Sequence, residues 1–130
     1  MAVTRMFGAS VKRREDGRMM SGRAQYTDDV QRTNTAHISV VRSPYAHARI
    51  TDIDTSKAKS MPGVIDVLTG PDLVDELAPV PCAWLIPDSD LIVPEHRAVA
   101  VDKVRYVGDA VAVVVAEDRY QAEDAADAVQ

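Results

Sequence analysis

The longest wholly apolar run in the chain is Ala110–Ala116, Ala-Val-Ala-Val-Val-Val-Ala, seven residues long. It is too short to cross a membrane, and its valines favour a strand. A continuous run of this kind is the pattern of a strand buried on both faces, hence central in a sheet. On that reading Val113→Asp puts an unpaired carboxylate into the core and unfolds the domain.

Shorter patterns surround it. Thr35–Arg42 alternates His37, Ser39 and Val41 against Ile38, Val40 and Arg42, and predicts a strand that Ser43-Pro44 stops. His47–Ile53 resumes a two-residue period, with Ala48 and Ile50 on one face and Arg49, Thr51 and Ile53 on the other. Asp54-Thr55-Ser56 offers caps for a short helix, Lys57–Ser60, ended by Pro62-Gly63. Val64–Thr69 predicts a strand; Pro71, at a first helical position, predicts a helix through Leu73, Val74 and Leu77 that stops near Pro79. Pro79–Pro94 holds four of the seven prolines and reads as a long irregular loop, the kind of segment that carries contacts. Short strands are expected at Ala98–Val101 and Val104–Val107. Glu117-Asp118 places acids at a helix start, and Ala122, Ala125, Ala126 and Val129 form a small-residue stripe behind them. That helix is expected to run to Gln130 without a Gly or Asn cap, so the domain reads as truncated at its C-terminal end.

Residues 1–25 lack either period; Gly8, Gly17 and Gly22 punctuate them, and Tyr26-Thr-Asp-Asp is turn-like. No repeat or linker appears. The division expected is an N-terminal arm, 1–21, followed by one domain, 22–130. Strands and short helices in this order predict an α/β or α+β domain, a mixed sheet with short helices packed on it.

Composition narrows the function classes. At 130 residues, 46% hydrophobic and 27% charged, the chain is ordinary globular protein with room for one core. The net charge of -5 is uneven: residues 1–60 hold eleven Lys+Arg against six Asp+Glu, and 61–130 hold four against fourteen. Only Lys12-Arg13-Arg14 is a basic cluster, and Glu15-Asp16 oppose it, so no nucleic-acid partner is expected. The start has no signal-peptide-length apolar stretch and no transmembrane segment is seen, which makes a cytoplasmic location the expectation.

Candidate chemistry is sparse. There is no phosphate-cradling glycine loop. His37, His47 and His96 have no acid or cysteine at metal-ligand spacing and read as ordinary hydrogen-bonded histidines. Asp28-Asp29 are adjacent, point oppositely on extended backbone, and read as turn caps. Cys82, the single cysteine, has no neighbouring base and reads as a small core residue or an inert loop thiol. Asp72, Asp75 and Glu76 suit the first turns of a helix. No catalytic, cofactor-binding or metal residue is assigned. Ser43-Pro-Tyr-Ala-His47 reads as a strand-breaking bend rather than a catalytic loop: Pro44 forbids ladder pairing, and Tyr45, large and amphipathic, closes either a core edge by local packing or a domain or subunit contact, with Ser43, Pro44, Tyr45 and His47 the candidate contact residues.

The order of motifs adds a resemblance. Gly8–Asp16, Gly22-Arg-Ala-Gln-Tyr-Thr-Asp-Asp29, Arg42-Ser-Pro-Tyr-Ala-His-Ala-Arg-Ile50 with Asp52-Ile-Asp-Thr-Ser56, Pro62-Gly-Val64 through Thr69-Gly70, Asp72-Leu73, and His96–Asp109 running into Val111–Ala126 occur in one register. In these the chain resembles the N-terminal α/β hammerhead domain of the molybdenum hydroxylase large subunit, the xanthine dehydrogenase, aldehyde oxidase and carbon monoxide dehydrogenase family, and looks most like the carbon monoxide dehydrogenase-type large chain. One departure is visible: Gly108-Asp109-Ala110 stands where the family writes Gly-Glu-Pro or Gly-Gln-Pro. The resemblance implies an α+β hammerhead fold and a non-catalytic, structural place in an oxidoreductase acting on aldehydes, N-heterocycles or carbon monoxide with water as the oxygen source. It implies a molybdenum–pterin cofactor in the full-length subunit, iron–sulfur clusters and FAD in partner domains or subunits, and a homo-dimer of the assembled complex. The pterin-binding segments and catalytic glutamate of the family lie downstream of the hammerhead, and no position here matches them. No activity is therefore expected from these residues alone. The alternative is a non-catalytic protein-interaction module with the same fold.

Overall fold

The structure is a computed structural model that describes residues 8–84, 86 and 88–130. It divides into two compact units, Met1–Thr33 and Asn34–Gln130. The first holds one short helix, α1 (Asp16–Met20), and a single 3-10 turn, Thr27–Asp29. Tyr26 N–H donates to the Asp29 carboxylate at 2.9 Å, so this aspartate caps a turn.

The second unit has the order β1 (His37–Arg42), β2 (Ala48–Arg49), α2 (Ser56–Lys59), β3 (Val64–Thr69), α3 (Gly70–Leu73), β4 (Lys103–Val104), β5 (Ala110–Ala116) and α4 (Arg119–Asp127). Two antiparallel sheets result, β1-β5-β3 and β2-β4. The fold is α+β, with short helices on the sheets. The last strand in sequence is the central one: β5 pairs along its length with β1 (His37 opposite Ala116, Val40 opposite Val113) and with β3 (Val67 opposite Val114).

Burial along β5 corrects the sequence expectation. Ala110, Ala112, Val114 and Ala116 are buried, but Val111, Val113 and Val115 are only half-buried. One face is sealed because α2 and α4 lie on it: Ala58, Ala125 and Ala128 meet Val67 and Val114, with Val41, Met61, Val64, Ala126 and Val129 around them. The alanines let the α4 backbone sit close to the sheet. Centrality therefore explains the run's apolar character, while only alternate residues reach the core.

Further expectations change, and the strand expected at Val104–Val107 shrinks to Lys103–Val104. The period at 47–53 yields only Ala48–Arg49 as strand, because its partner β4 is itself two residues long. Ala98–Val101 forms no strand: the Gly70 backbone packs against Ala100, where a Cβ on residue 70 would run into the Ala100 carbonyl, and Ala100 N–H goes singly to Ala110 O at 2.8 Å. The helix at Pro71 ends at Leu73, because Arg97 Nη1 takes the Val74 carbonyl (3.2 Å), the acceptor another helical turn would use. Finally, α4 ends at Asp127, and Gln130 instead exchanges backbone hydrogen bonds with Asp54 (2.7 and 3.1 Å).

Caps fix the helix starts. The Asp118 carboxylate accepts from Tyr120 and Gln121 N–H (2.8 and 2.9 Å). Asp72 accepts from the Thr69 hydroxyl (2.6 Å) and Thr69 N–H (2.8 Å), and these bonds, the hydroxyl first, hold its carboxyl below the usual value.

Two outcomes follow. Val114→Asp should abolish cooperative urea unfolding, since a lone carboxylate in this packed layer costs several kcal/mol, whereas Val113→Asp should retain a folded baseline. The reverse order would show that the open face is the true core. Because the Asp72 carboxyl is depressed in the folded state, its contribution is complete above about pH 4 and is lost as pH falls through the folded value. Urea midpoints measured over that acid range should fall less steeply in Asp72→Asn than in wild type.

Candidate interaction site

Between β1 and β2 the chain bends at residues 44–47, as the proline in Ser43-Pro44 requires. Ser43 is buried, and its hydroxyl accepts from Tyr45 N–H at 3.0 Å, a local turn within the bend. Its backbone docks on the turn that precedes β5: Ser43 N–H donates to Asp109 O (2.9 Å), and Gly108 N–H donates to Ser43 O (2.8 Å). Arg42 Nη1 adds a bond to Gly108 O at 2.9 Å.

Asp109 closes this latch. It is 5% exposed, and its Oδ2 accepts the backbone N–H of Arg105 at 2.9 Å. Gly108 has φ +92°, a left-handed conformation that suits glycine. The side-chain bond stiffens the 105–109 turn at the position where the resembled family carries a proline one residue on. Tyr45 in the bend is 66% exposed, and Tyr106 and Val107 in the 105–109 turn are also exposed. Pro44 and His47 are exposed as well.

The other candidates are not gathered. His37 lies in β1, His47 in the bend, and His96 near Tyr106 with ring centroids 6.2 Å apart. Cys82 is exposed in the loop and its Sγ–H faces Trp84 O at 3.3 Å, so it is a loop thiol. Among the described residues no three His, Cys, Asp or Glu side chains come together to hold a metal ion. A polar cavity of about 80 Å³ is lined by Glu95, His96, Arg97, Asp102, Arg105 and Asp109. Its cations are engaged, Arg97 with Glu95 (3.3 Å) and Arg105 with Asp102 (3.7 Å). A cavity of this size, with its arginines so engaged, does not fit a molybdenum–pterin group. Sequence reasoning missed Asp109 and Tyr106 as members of the site; the signal available was the departure at Gly108-Asp109 itself.

The family described as aldehyde oxidase and xanthine dehydrogenase, a/b hammerhead domain, matches residues 21–130, and the chain belongs to it. It is 42% identical over 128 residues to the nicotine 6-hydroxylase large subunit of Paenarthrobacter nicotinovorans, covering 98% of this chain and 15% of that one. It is 42% identical over 124 residues to the carbon monoxide dehydrogenase large chain of Afipia carboxidovorans, covering 95% and 14%. The crystal structure of a Cu,Mo-CO dehydrogenase in its carbon monoxide reduced state superposes with a TM-score of 0.79 at 42% identity, over 95% of this chain and 15% of that one. The chain thus spans about 15% of the length of the curated relatives it matches.

Asp109→Ala should lower stability by about 1–2 kcal/mol, because Arg105 N–H loses its acceptor in a part-buried turn. Asp109→Asn, which keeps an acceptor, should lose less. Equal losses in denaturant melts would mean that the charge, not the hydrogen bond, holds the latch.

Proposed function

We propose that this chain forms the structural hammerhead portion of the molybdenum-cofactor subunit of a molybdenum hydroxylase, an oxidoreductase acting on aldehydes, N-heterocycles or carbon monoxide. The observation that carries the reading is the family match over 21–130, with about 40% identity to large subunits of which it spans a seventh. In that reading residues 22–130 are the domain and 1–21 an arm. Its partners are the cofactor domains of the large subunit and iron–sulfur and flavin subunits, in a dimeric cytoplasmic complex. The molybdenum–pterin group belongs to those domains, as the residues here do not cradle it. No helix among the described residues is long and apolar enough to cross a membrane.

Within the complex the Ser43–His47 bend is a contact rather than a reactive loop. Supporting this, the latch holds its backbone while Tyr45 projects outward, and an exposed tyrosine on a fixed backbone loses little entropy when covered.

Affinity purification from the native source, with molybdenum, iron and flavin analysis, tests the assignment. Near-stoichiometric molybdenum and iron are expected; a partner complex lacking both would leave a non-catalytic interaction module. In the assembled enzyme Tyr45→Ala should reduce assembly or thermal stability while turnover per bound molybdenum stays near wild type. A large loss of turnover per molybdenum with assembly intact would reverse the contact role.

A further inference from the structure

The second unit, residues 34–130, carries eight Lys+Arg against sixteen Asp+Glu, yet one corner of it is basic. In the β2-β4 ladder Arg49 stands directly opposite Lys103. Like charges at opposed positions of an antiparallel pair repel and destabilise it. Arg105 follows two residues on and bonds Lys103 O through Nη1 (3.3 Å), and Arg42 is tied to the same turn through Gly108 O. Among the described residues neither Arg42, Arg49 nor Lys103 has an ion pair; Asp102 serves Arg105, and the Asp109 carboxylate is turned inward to a backbone N–H. Tyr45 and Tyr106, both exposed, stand on the two segments that the latch joins. Arginine and tyrosine on a fixed backbone are the composition of an interface centre.

We propose that this corner docks a carboxylate-rich segment of a partner protein chain, which neutralises the Arg49–Lys103 pair. The inference rests on the reading of the bend as a contact and adds the partner's chemistry. A protein is favoured over nucleic acid because the patch is small, lies on an acidic unit, and forms no basic track.

The test uses the purified native complex. A water-soluble carbodiimide should join the Lys103 amine to an Asp or Glu of another protein chain, and raising salt to about 0.5 M before coupling should suppress the product. Arg49→Glu with Lys103→Glu should co-purify at least about tenfold less partner while melting like wild type. Cross-links from Lys103 only to residues of its own chain, or none, would overturn the proposal, as would protection of Lys103 by polyuridylate but not by protein. If the double variant misfolds, the wild-type cross-link decides alone. Absence of molybdenum and iron from the preparation would sink the proposed function, but the Lys103 cross-link would still judge this inference.

Discussion

Everything in the second unit hangs on the insertion of β5 between β1 and β3. Both neighbours precede it in sequence by many residues, so the sheet closes only when the last strand arrives. The contact that fixes it is Val114 against Val67, both fully buried, under the alanines of α2 and α4. With so few large side chains in this layer, stability comes from close approach rather than bulk. Dispersion falls off steeply with small gaps, so an alanine-rich helix tolerates little displacement from its sheet. The Asp118 cap matters for the same reason: it sets where α4 starts, and hence which alanines face Val114.

That central strand also organises the latch between Ser43 and the 105–109 turn. The turn before Ala110 must release the chain into β5 at the right height, and the Ser43 and Asp109 hydrogen bonds fix that height against the end of β1. A side chain exposed at Tyr45 or Tyr106 is therefore carried on backbone that the sheet itself holds. Past Val104 the chain enters that turn, with Arg105 N–H held by Asp109.

What the sequence made legible divides along this line. Local pattern was enough for β1, β3, β5 and the α4 stripe, because each is long enough to repeat its period and ends at Pro, Gly or an acidic cap. The sequence was misleading where a tertiary partner outbids local preference. Ala98–Val101 is apolar and looks like a strand, but the close passage of Gly70 and the single bond to Ala110 set its path. Val74–Leu77 looks helical, yet Arg97, twenty residues later, takes its carbonyls. The half-open face of β5 was illegible for a different reason: valine at every other position is compatible with burial or exposure, and only the placing of the helices distinguishes them. Of the latch, the bend at Ser43–His47 could be read, because a proline after a strand is a local signal. Asp109 and the Arg49–Lys103 pairing could not, since both depend on which strands meet.

The surface completes the same physical division. Val80 and His96 are joined at their backbones by a 2.7 Å bond, and between them Trp84 is 76% exposed and Ile86, Leu91, Ile92 and Val93 are exposed. Exposed apolar side chains of this kind gain free energy when something covers them. None of these side chains joins the core beneath α2 and α4, so the domain does not depend on them to stay folded. The stability of the unit and its apolar outer surface thus reside in separate sets of residues, one small and interior, the other large and outward. This is the arrangement expected of a domain whose work is to be packed against: a rigid alanine-and-valine layer carries the fold, and bulky residues on bends and loops are left for a neighbour to bury.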